Sequence, residues 1–129
     1  MRNRILYAED NESLRNSMGR ALGLLEGCEI EIFEDGNSLD GRLKSDVSDV
    51  RFVVTDNDMP GKEGSEIITE CAPRDAYSGI QFILYSATTP EIVDKVERAG
   101  AVYINKGKHN FLDVCDYLSE RMNAIPSSQ

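Results

Sequence analysis

One short segment constrains the fold of this chain more than any other: an apolar run that ends in two carboxylates and a turn. Residues 52–54 are aromatic or β-branched, Asp56 and Asp58 follow them, and Pro60 and Gly61 complete the turn. This pattern predicts a buried strand rather than part of a helix. Because ligands of open parallel sheets bind beyond the carboxyl ends of the strands, Asp56 is the first candidate for a functional residue.

Length and charge restrict the class of protein. The 129 residues suit one domain with a hydrophobic core. No apolar run approaches the roughly 20 residues of a membrane-spanning helix, and the N-terminus lacks the pattern of a secretory signal. The net charge of −9 would repel a nucleic-acid backbone. We therefore expect a cytoplasmic domain that binds neither a membrane nor, by itself, nucleic acid.

The cysteine pattern disfavours two kinds of stabilised scaffold. Cys28, Cys71 and Cys115 are odd in number and widely spaced, and His109 is the sole histidine. Neither a disulfide framework nor a zinc site is indicated by such spacing. We expect buried, reduced thiols.

Strand-like runs alternate with amphipathic segments along the chain. Strands are predicted at residues 4–8, 29–34, 52–55, 80–85 and 101–105, the second with the alternation of a strand nearer the sheet edge. Helices are predicted from residue 14 until Gly27, from 38 to about 47, around 67–71 until Pro73, from Pro90 until Gly100, and from 111 to 122. This alternation predicts an α/β fold, a doubly wound parallel sheet with right-handed crossovers.

Polar residues follow several of these strands. Glu9 and Asp10 come after the first strand, Asp56 after the third, Ser86 after the fourth and Lys106 after the fifth. The carboxyl ends of parallel strands meet at one edge of a sheet. We therefore expect these side chains to converge.

The carboxylates of such a cluster require a cation. Two carboxylates about 4 Å apart repel each other by roughly 4 kcal/mol at an effective dielectric constant near 20. Oxygen ligands without thiol or imidazole suit Mg²⁺, or Mn²⁺ in its place. Phosphoryl transfer would give each residue a role, with Asp56 attacking, Mg²⁺ and Lys106 neutralising charge, and Ser86 donating a hydrogen bond.

The ordered set of motifs resembles the receiver domain of two-component response regulators over nearly the whole chain. The resemblance rests on Glu9-Asp10, Asp56, Met59-Pro60-Gly61, Gly64, Ser86-Ala87, Tyr103 and Lys106. It implies a receiver domain at residues 1–124, with residues 125–129 as a tail or the start of a linker. It also implies five helices and the flavodoxin-like strand order 2-1-3-4-5.

The resemblance assigns roles to the acidic residues. Asp56 becomes the phosphoacceptor, loaded by a sensor histidine kinase or a histidine phosphotransfer protein. Asp10 and Asp56 bind Mg²⁺ directly, Glu9 acts mainly through water, and Asp58 contributes its backbone carbonyl. Such a chain is a phosphorylated signalling domain rather than an enzyme, with self-phosphorylation from small donors and autodephosphorylation.

The resemblance also implies a switch. Ser86 and Lys106 would hold the phosphoryl oxygens, and inward movement of Ser86 would draw Tyr103 from an outward to an inward rotamer. This movement alters the surface of the fourth helix, fifth strand and fifth helix. That surface would contact an output domain or a second copy of the chain.

Some positions depart from the family pattern. Gly107 follows Lys106 where the family usually has a cis proline, and residues 100–106 form a segment one residue shorter than usual. Asp58 and Thr88 occupy positions that tune access of the hydrolytic water in this family. We therefore expect an altered phosphoryl lifetime.

Two alternative functions compete with the phosphoacceptor. A pseudo-receiver would keep the fold as an interaction module without the chemistry. Asp56-x-Asp58 after an apolar strand also resembles the nucleophile motif of haloacid-dehalogenase-type phosphatases. In that family the motif comes first and an acidic pair follows, whereas here Glu9 and Asp10 come first, and no cap domain fits.

Overall fold

Short apolar runs form a five-stranded parallel sheet in the computed structural model, which describes residues 2–124. The strands are β1 Arg4–Ala8, β2 Glu29–Phe33, β3 Val50–Thr55, β4 Gln81–Ser86 and β5 Val102–Asn105. Their order is β2-β1-β3-β4-β5, and every neighbouring pair is parallel. The predicted flavodoxin-like order is therefore confirmed, with β2 at an edge as its alternating sequence indicated.

Five helices connect or follow the strands. They are α1 Glu12–Leu22, α2 Gly36–Leu43, α3 Gly64–Cys71, α4 Pro90–Arg98 and α5 Phe111–Ala124, with a 3₁₀ turn at Asp75–Tyr77. Side-chain oxygens cap the N-termini of three of them. The Asn11 side chain accepts a hydrogen bond from the Leu14 amide in α1, and Asp35 and Thr89 cap α2 and α4 in the same way. The predicted start of α4 at Pro90 is confirmed.

The ends of two helices differ from the sequence prediction. Helix α1 stops at Leu22 instead of continuing to Gly27, because the chain turns at Gly23 and leaves Leu24 82% exposed. Gly27 has a positive φ of 78° and belongs to the turn that enters β2. Helix α2 runs over Gly36–Leu43 rather than 38–47 because the Asp35 carboxylate accepts from the Ser38 amide and fixes its start.

Each face of the sheet carries its own hydrophobic core. Helices α2, α3 and α4 cover one face with buried residues that include Leu39, Ile67 and Val96. Helices α1 and α5 cover the other face with residues such as Met18 and Leu118. Burial on both faces explains why β1, β3 and β4 are continuous apolar runs. The functional residues are thereby confined to the ends of the strands.

The cysteines agree in part with the prediction. All three are free; Cys71 and Cys115 are buried, whereas Cys28 is only half-buried. Burial raises the pKa of the Cys115 thiol to about 11, so this thiol stays protonated at neutral pH.

No helix within residues 2–124 is long and apolar enough to cross a membrane. The predicted tail, residues 125–129, lies outside the described residues.

Candidate functional site

Three carboxylates meet at the carboxyl edge of the sheet. Glu9 and Asp10 follow β1 and Asp56 follows β3, and one oxygen from each lies within 4.8 Å of the others. Glu9 and Asp56 are buried, with 1% and 7% of their surfaces exposed, while Asp10 is exposed. Adjacent parallel strands β1 and β3 place these residues side by side, as the sequence predicted.

Lys106 reaches into this cluster from the end of β5. Its Nζ lies 2.8 Å from Glu9 Oε1 and 3.0 Å from Asp56 Oδ2. Its backbone amide donates to the Ser86 carbonyl at 3.2 Å, which joins the end of β5 to the end of β4. One ammonium therefore bridges two of the three carboxylates.

Burial and the ion pair between Glu9 and Lys106 shift the pKa values of these two residues in opposite directions. Burial raises the pKa of Glu9, and the nearby charge of Asp56 raises it further, against the hydrogen bond from Lys106. Burial works to lower the pKa of Lys106, but its hydrogen bonds and ion pairs with Glu9 and Asp56 outweigh burial and raise it. Lys106 is thus firmly charged, and three carboxylates still face one ammonium.

The donor set fits a hard divalent cation. The cluster supplies carboxylate oxygens and lacks sulfur and imidazole among its members Glu9, Asp10 and Asp56. Such oxygen ligands suit Mg²⁺ or Mn²⁺. Since Asp10 is exposed, the open side of the cluster also has room for solvent ligands.

The backbone around Asp56 is held tightly. The Asn57 amide donates to Asp56 Oδ1 at 2.7 Å, and the Asp56 amide donates to the Ala8 carbonyl at 3.1 Å. A Cβ atom at Gly64 would lie only 2.0 Å from the Asp56 carbonyl oxygen. Glycine at position 64 therefore allows α3 to start directly against the residue that the sequence places at the centre of the site.

Ser86 and Tyr103 lie together beside the cluster. Ser86 ends β4 and is 1% exposed. The half-buried Tyr103 on β5 donates its hydroxyl hydrogen to the Ser86 carbonyl at 2.8 Å. The resemblance implied an outward Tyr103 ring as the starting position, but in this structure the hydroxyl is already bonded to the end of β4.

The carboxylate of Asp58 lies outside the acidic cluster. Asp58 is exposed, and its Oδ1 accepts a hydrogen bond from Asn57 Nδ2 at 3.2 Å. The structure therefore brings together Glu9, Asp10 and Asp56, but it separates the Asp58 side chain from them.

The turn after Lys106 is built without the proline of the family pattern. Asn105 Oδ1 accepts from the Gly107 amide at 2.7 Å, and the Asn105 carbonyl accepts from the His109 amide at 2.9 Å. The Tyr85 hydroxyl donates to the His109 carbonyl at 2.8 Å. These bonds fasten the turn to β4 and so fix the position of Lys106.

Two residues near the site were missed by the sequence interpretation. Arg15 on α1 donates through Nη1 to the carbonyls of Glu9 and Asp10, at 3.1 and 3.3 Å. Asn57 is 1% exposed despite its polar side chain. The sequence signal for Arg15 was a cation one turn into the helix that follows the acidic pair. The signal for Asn57 was an amide between two acidic residues at the end of a buried strand.

Comparisons with known proteins agree with this geometry. Residues 5–110 match the response regulator receiver domain family. Among proteins with curated functions, none was found to match.

Several solved structures share the fold. A CheY-like receiver domain protein from Methanospirillum hungatei JF-1 has a TM-score of 0.79 and 22% identity, with all of both chains covered. The receiver domain of a DNA-binding response regulator from Colwellia psychrerythraea 34H also has a TM-score of 0.79, with 20% identity over 94% of this chain and 98% of the other.

A third structure is the isolated REC domain of RcsB from Salmonella enterica serovar Typhimurium, solved in the presence of phosphomimetic BeF₃⁻. It has a TM-score of 0.75 and 18% identity, covering 96% of this chain and 91% of that one. These likenesses concern the fold, whereas the family match concerns the sequence that includes the acidic pair, Asp56 and Lys106. On that match this chain belongs to the response regulator receiver domain family.

Proposed function

We propose that this domain accepts a phosphoryl group on Asp56 and uses the modification as a signal. The observation that carries the proposal is the Asp56 carboxylate, buried at the sheet edge and bonded to the Lys106 ammonium at 3.0 Å. A sensor histidine kinase or a histidine phosphotransfer protein would be the donor. The domain would act in the cytoplasm, where such donors present phosphohistidine.

The hydrogen bonds of Asp56 suit it to nucleophilic attack. One carboxylate oxygen forms a bond to phosphorus while the bond from phosphorus to the donor nitrogen or oxygen breaks. The Asn57 amide orients Asp56 through Oδ1, and Lys106 follows the developing charge from Oδ2 to a phosphoryl oxygen. Ser86, at the adjacent strand end, donates its hydroxyl to another phosphoryl oxygen.

The acidic cluster would hold the metal ion. Asp10 and Asp56 supply carboxylate oxygens, Asp58 its backbone carbonyl, and Glu9 acts through water. Mg²⁺, for which Mn²⁺ could substitute, supplies positive charge that offsets the repulsion between carboxylates and phosphoryl oxygens. The three carboxylates outnumber the two nearby cations, Lys106 and Arg15, and this excess supports the assignment.

The signal would leave the site through Ser86 and Tyr103. The Tyr103 hydroxyl already bonds to the Ser86 carbonyl, so a shift of β4 toward the phosphoryl group moves the tyrosine ring with it. Tyr103 lies on β5 between α4 and α5. The α4-β5-α5 surface would then change its affinity for an output domain or for a second copy of the chain.

Phosphorylation by a small donor distinguishes the proposal from its alternatives. The protein is incubated with acetyl phosphate and Mg²⁺ and its intact mass is followed, with EDTA as the control. The proposal predicts one metal-dependent phosphoryl adduct. An unmodified protein would indicate a pseudo-receiver, and rapid turnover of a panel of phosphoesters would indicate a phosphatase.

A further inference from the structure

The tip of the loop that joins β3 to α3 is fastened to the start of α2. The Gly36 amide donates to the Pro60 carbonyl at 3.1 Å, and Asn37 Oδ1 accepts from the Lys62 amide at 3.1 Å. A Cβ atom at position 36 would lie 1.7 Å from the Lys62 carbonyl oxygen, so the two backbones are in direct contact. Two consecutive residues of α2 therefore hold the tip of this loop.

The side chain of Lys62 extends this attachment to α3. Its Nζ lies 3.3 Å from Asp40 Oδ1 in α2 and also bonds to Glu70 Oε1 in α3. The Lys62 and Asp40 side chains are only 19% and 14% exposed, and partly buried ion pairs are screened less than exposed ones. We call Asn37, Asp40 and Lys62 together the α2 clasp.

The base of the same loop is fixed without α2. The Asn57 carbonyl accepts from the Gly64 amide at 3.1 Å, and Asn57 Oδ1 accepts from the Ser65 amide at 2.9 Å. Asp58 lies between this base and the tip at Pro60. Because a segment held at one end has more conformations open to it than a segment held at both, the position of the Asp58 backbone carbonyl depends on both attachments.

We propose that the α2 clasp positions this loop for metal binding, with Asn37 and Lys62 as positioning residues that act through the loop; this rests on the magnesium site proposed above. In that site the Asp58 backbone carbonyl is a ligand beside the carboxylates of Asp10 and Asp56. When the clasp opens, the loop tip is free to move, and only molecules with the loop in place keep the full affinity for Mg²⁺. The apparent dissociation constant rises in inverse proportion to the fraction of such molecules.

The magnesium affinity of clasp variants tests this role without a measurement of activity. Titration calorimetry with Mg²⁺ alone gives the dissociation constant of the unphosphorylated protein, at a temperature where every variant is folded. Asn37→Ala removes the acceptor of the Lys62 amide at an exposed position. It should raise the dissociation constant by about threefold or more, the value expected when the loop is in place in one third of the molecules.

Lys62→Met is a second clasp variant, and it decides the question if Asn37→Ala fails to fold. It keeps an unbranched side chain but removes the ammonium that bonds to Asp40 and Glu70. Loss of a positive charge would by itself favour the binding of a cation. Weaker binding of Mg²⁺ by Lys62→Met, which the proposal predicts, therefore cannot result from the change in charge.

Tyr77→Phe is the matched control because it removes one hydrogen bond at the other end of α2. The Tyr77 hydroxyl donates to the carbonyl of Leu43, the last residue of that helix, at 2.8 Å. Its loss should lower the stability of the protein and leave the dissociation constant for Mg²⁺ unchanged. A clasp with a structural role alone would give that same result in Asn37→Ala.

Hydrogen exchange of the Gly36 amide provides the reciprocal measurement. If the closed clasp favours Mg²⁺ binding, Mg²⁺ must favour the closed clasp by the same factor. Mg²⁺ should therefore slow exchange of this amide, whose bond to the Pro60 carbonyl breaks when the clasp opens, more than it slows exchange of the Lys44 amide at the far end of α2. Equal slowing of the two amides would reflect general stabilisation and would overturn the proposal.

The outcomes of the titrations separate this inference from the proposed metal site. If the wild type does not bind Mg²⁺, the metal site and the role of the clasp both fail. If the wild type binds Mg²⁺ and either folded clasp variant binds it with the same affinity, the clasp has no positioning role and the metal site stands. A Tyr77→Phe protein that binds Mg²⁺ as weakly as Asn37→Ala would likewise overturn the positioning role.

Discussion

At the scale of single residues, the site depends on one lysine between two buried carboxylates. Lys106 Nζ bonds to Glu9 Oε1 at 2.8 Å and to Asp56 Oδ2 at 3.0 Å, and the Lys106 side chain is 22% exposed. A divalent cation would compete with this ammonium for the same oxygens. On the function proposed above, Lys106 would balance charge in the absence of the metal and would be released toward the phosphoryl group in its presence.

Replacing this lysine should expose its two effects. Lys106→Ala leaves Glu9 and Asp56 buried without their nearest cation, which should lower the free energy of unfolding by about 1–3 kcal/mol in the absence of Mg²⁺. Mg²⁺ should then stabilise the variant more than it stabilises the wild type. Urea unfolding with and without Mg²⁺ measures both effects.

Lys108→Ala is the matched control because Lys108 is exposed in the same turn. Its stability should stay within about 0.5 kcal/mol of the wild type. A Lys106→Ala protein as stable as this control, with and without Mg²⁺, would contradict the charge-balancing role.

At the scale of elements, two close approaches shape the edge of the sheet around the candidate site. Helix α3 starts against the Asp56 carbonyl at Gly64, and β5 is tied to β4 by the Tyr103 hydroxyl. The first approach requires that residue 64 has no Cβ atom, and the second requires the hydroxyl oxygen of Tyr103. Both can therefore be tested by a single substitution.

An alanine at the start of α3 should disturb the loop. A Cβ at position 64 would lie 2.0 Å from the Asp56 carbonyl oxygen, so Gly64→Ala should destabilise the protein by more than about 1 kcal/mol and slow phosphorylation. Gly41→Ala on α2 is the control, because its Cβ meets no atom within 4 Å. Gly41→Ala should stabilise by about 0.4–1 kcal/mol. Equal melting temperatures for the two variants would contradict this account of α3.

Removing the Tyr103 hydroxyl should uncouple the tyrosine ring from the Ser86 carbonyl at the end of β4. Tyr103→Phe loses the bond to the Ser86 carbonyl, which should cost about 0.5–1.5 kcal/mol of stability and leave phosphorylation of Asp56 intact. The change in self-association or partner affinity on phosphorylation should shrink. Sedimentation of phosphorylated and unphosphorylated protein, or titration with a partner, measures this. An undiminished response in Tyr103→Phe would show that the signal leaves by another route.

At the scale of the whole molecule, the sequence predicted which residues lie at the carboxyl edge of the sheet. It did not predict the hydrogen bonds between their side chains. Glu9, Asp56, Ser86 and Lys106 each lie at the end of a strand, and parallel topology alone places them together. The bond from Lys106 to Glu9 joins side chains 97 positions apart, so no local pattern reveals it. The early end of α1 was missed because the apolar periodicity continues into a turn.

The burial of Asn57 was missed for a related reason. In a sequence, an asparagine between two aspartates is typical of an exposed turn. Its burial results from packing of α3 against the end of β3, where the Ser65 and Gly64 amides meet it. Tertiary packing, rather than residue type, therefore buries Asn57 and places it beside the site.

Metal binding should stabilise the whole molecule. A ligand that binds only the folded state adds about 2.7 kcal/mol at a concentration 100 times its dissociation constant. The melting temperature should therefore rise on addition of Mg²⁺ and should rise less in Asp10→Asn, which lacks one carboxylate of the cluster. Salt at matched ionic strength controls for screening of the net charge of −9. Equal melting temperatures in Mg²⁺ and in that salt would count against the metal site.

Locating the phosphoryl group tests directly whether Asp56 is the phosphoacceptor. Wild type, Asp56→Asn and Asp58→Asn are incubated with acetyl phosphate and Mg²⁺, and the mass of each intact protein is measured. We expect a single phosphoryl adduct on the wild type and on Asp58→Asn, and none on Asp56→Asn. An adduct that persists in Asp56→Asn, or a wild type that stays unmodified, would contradict this role of Asp56.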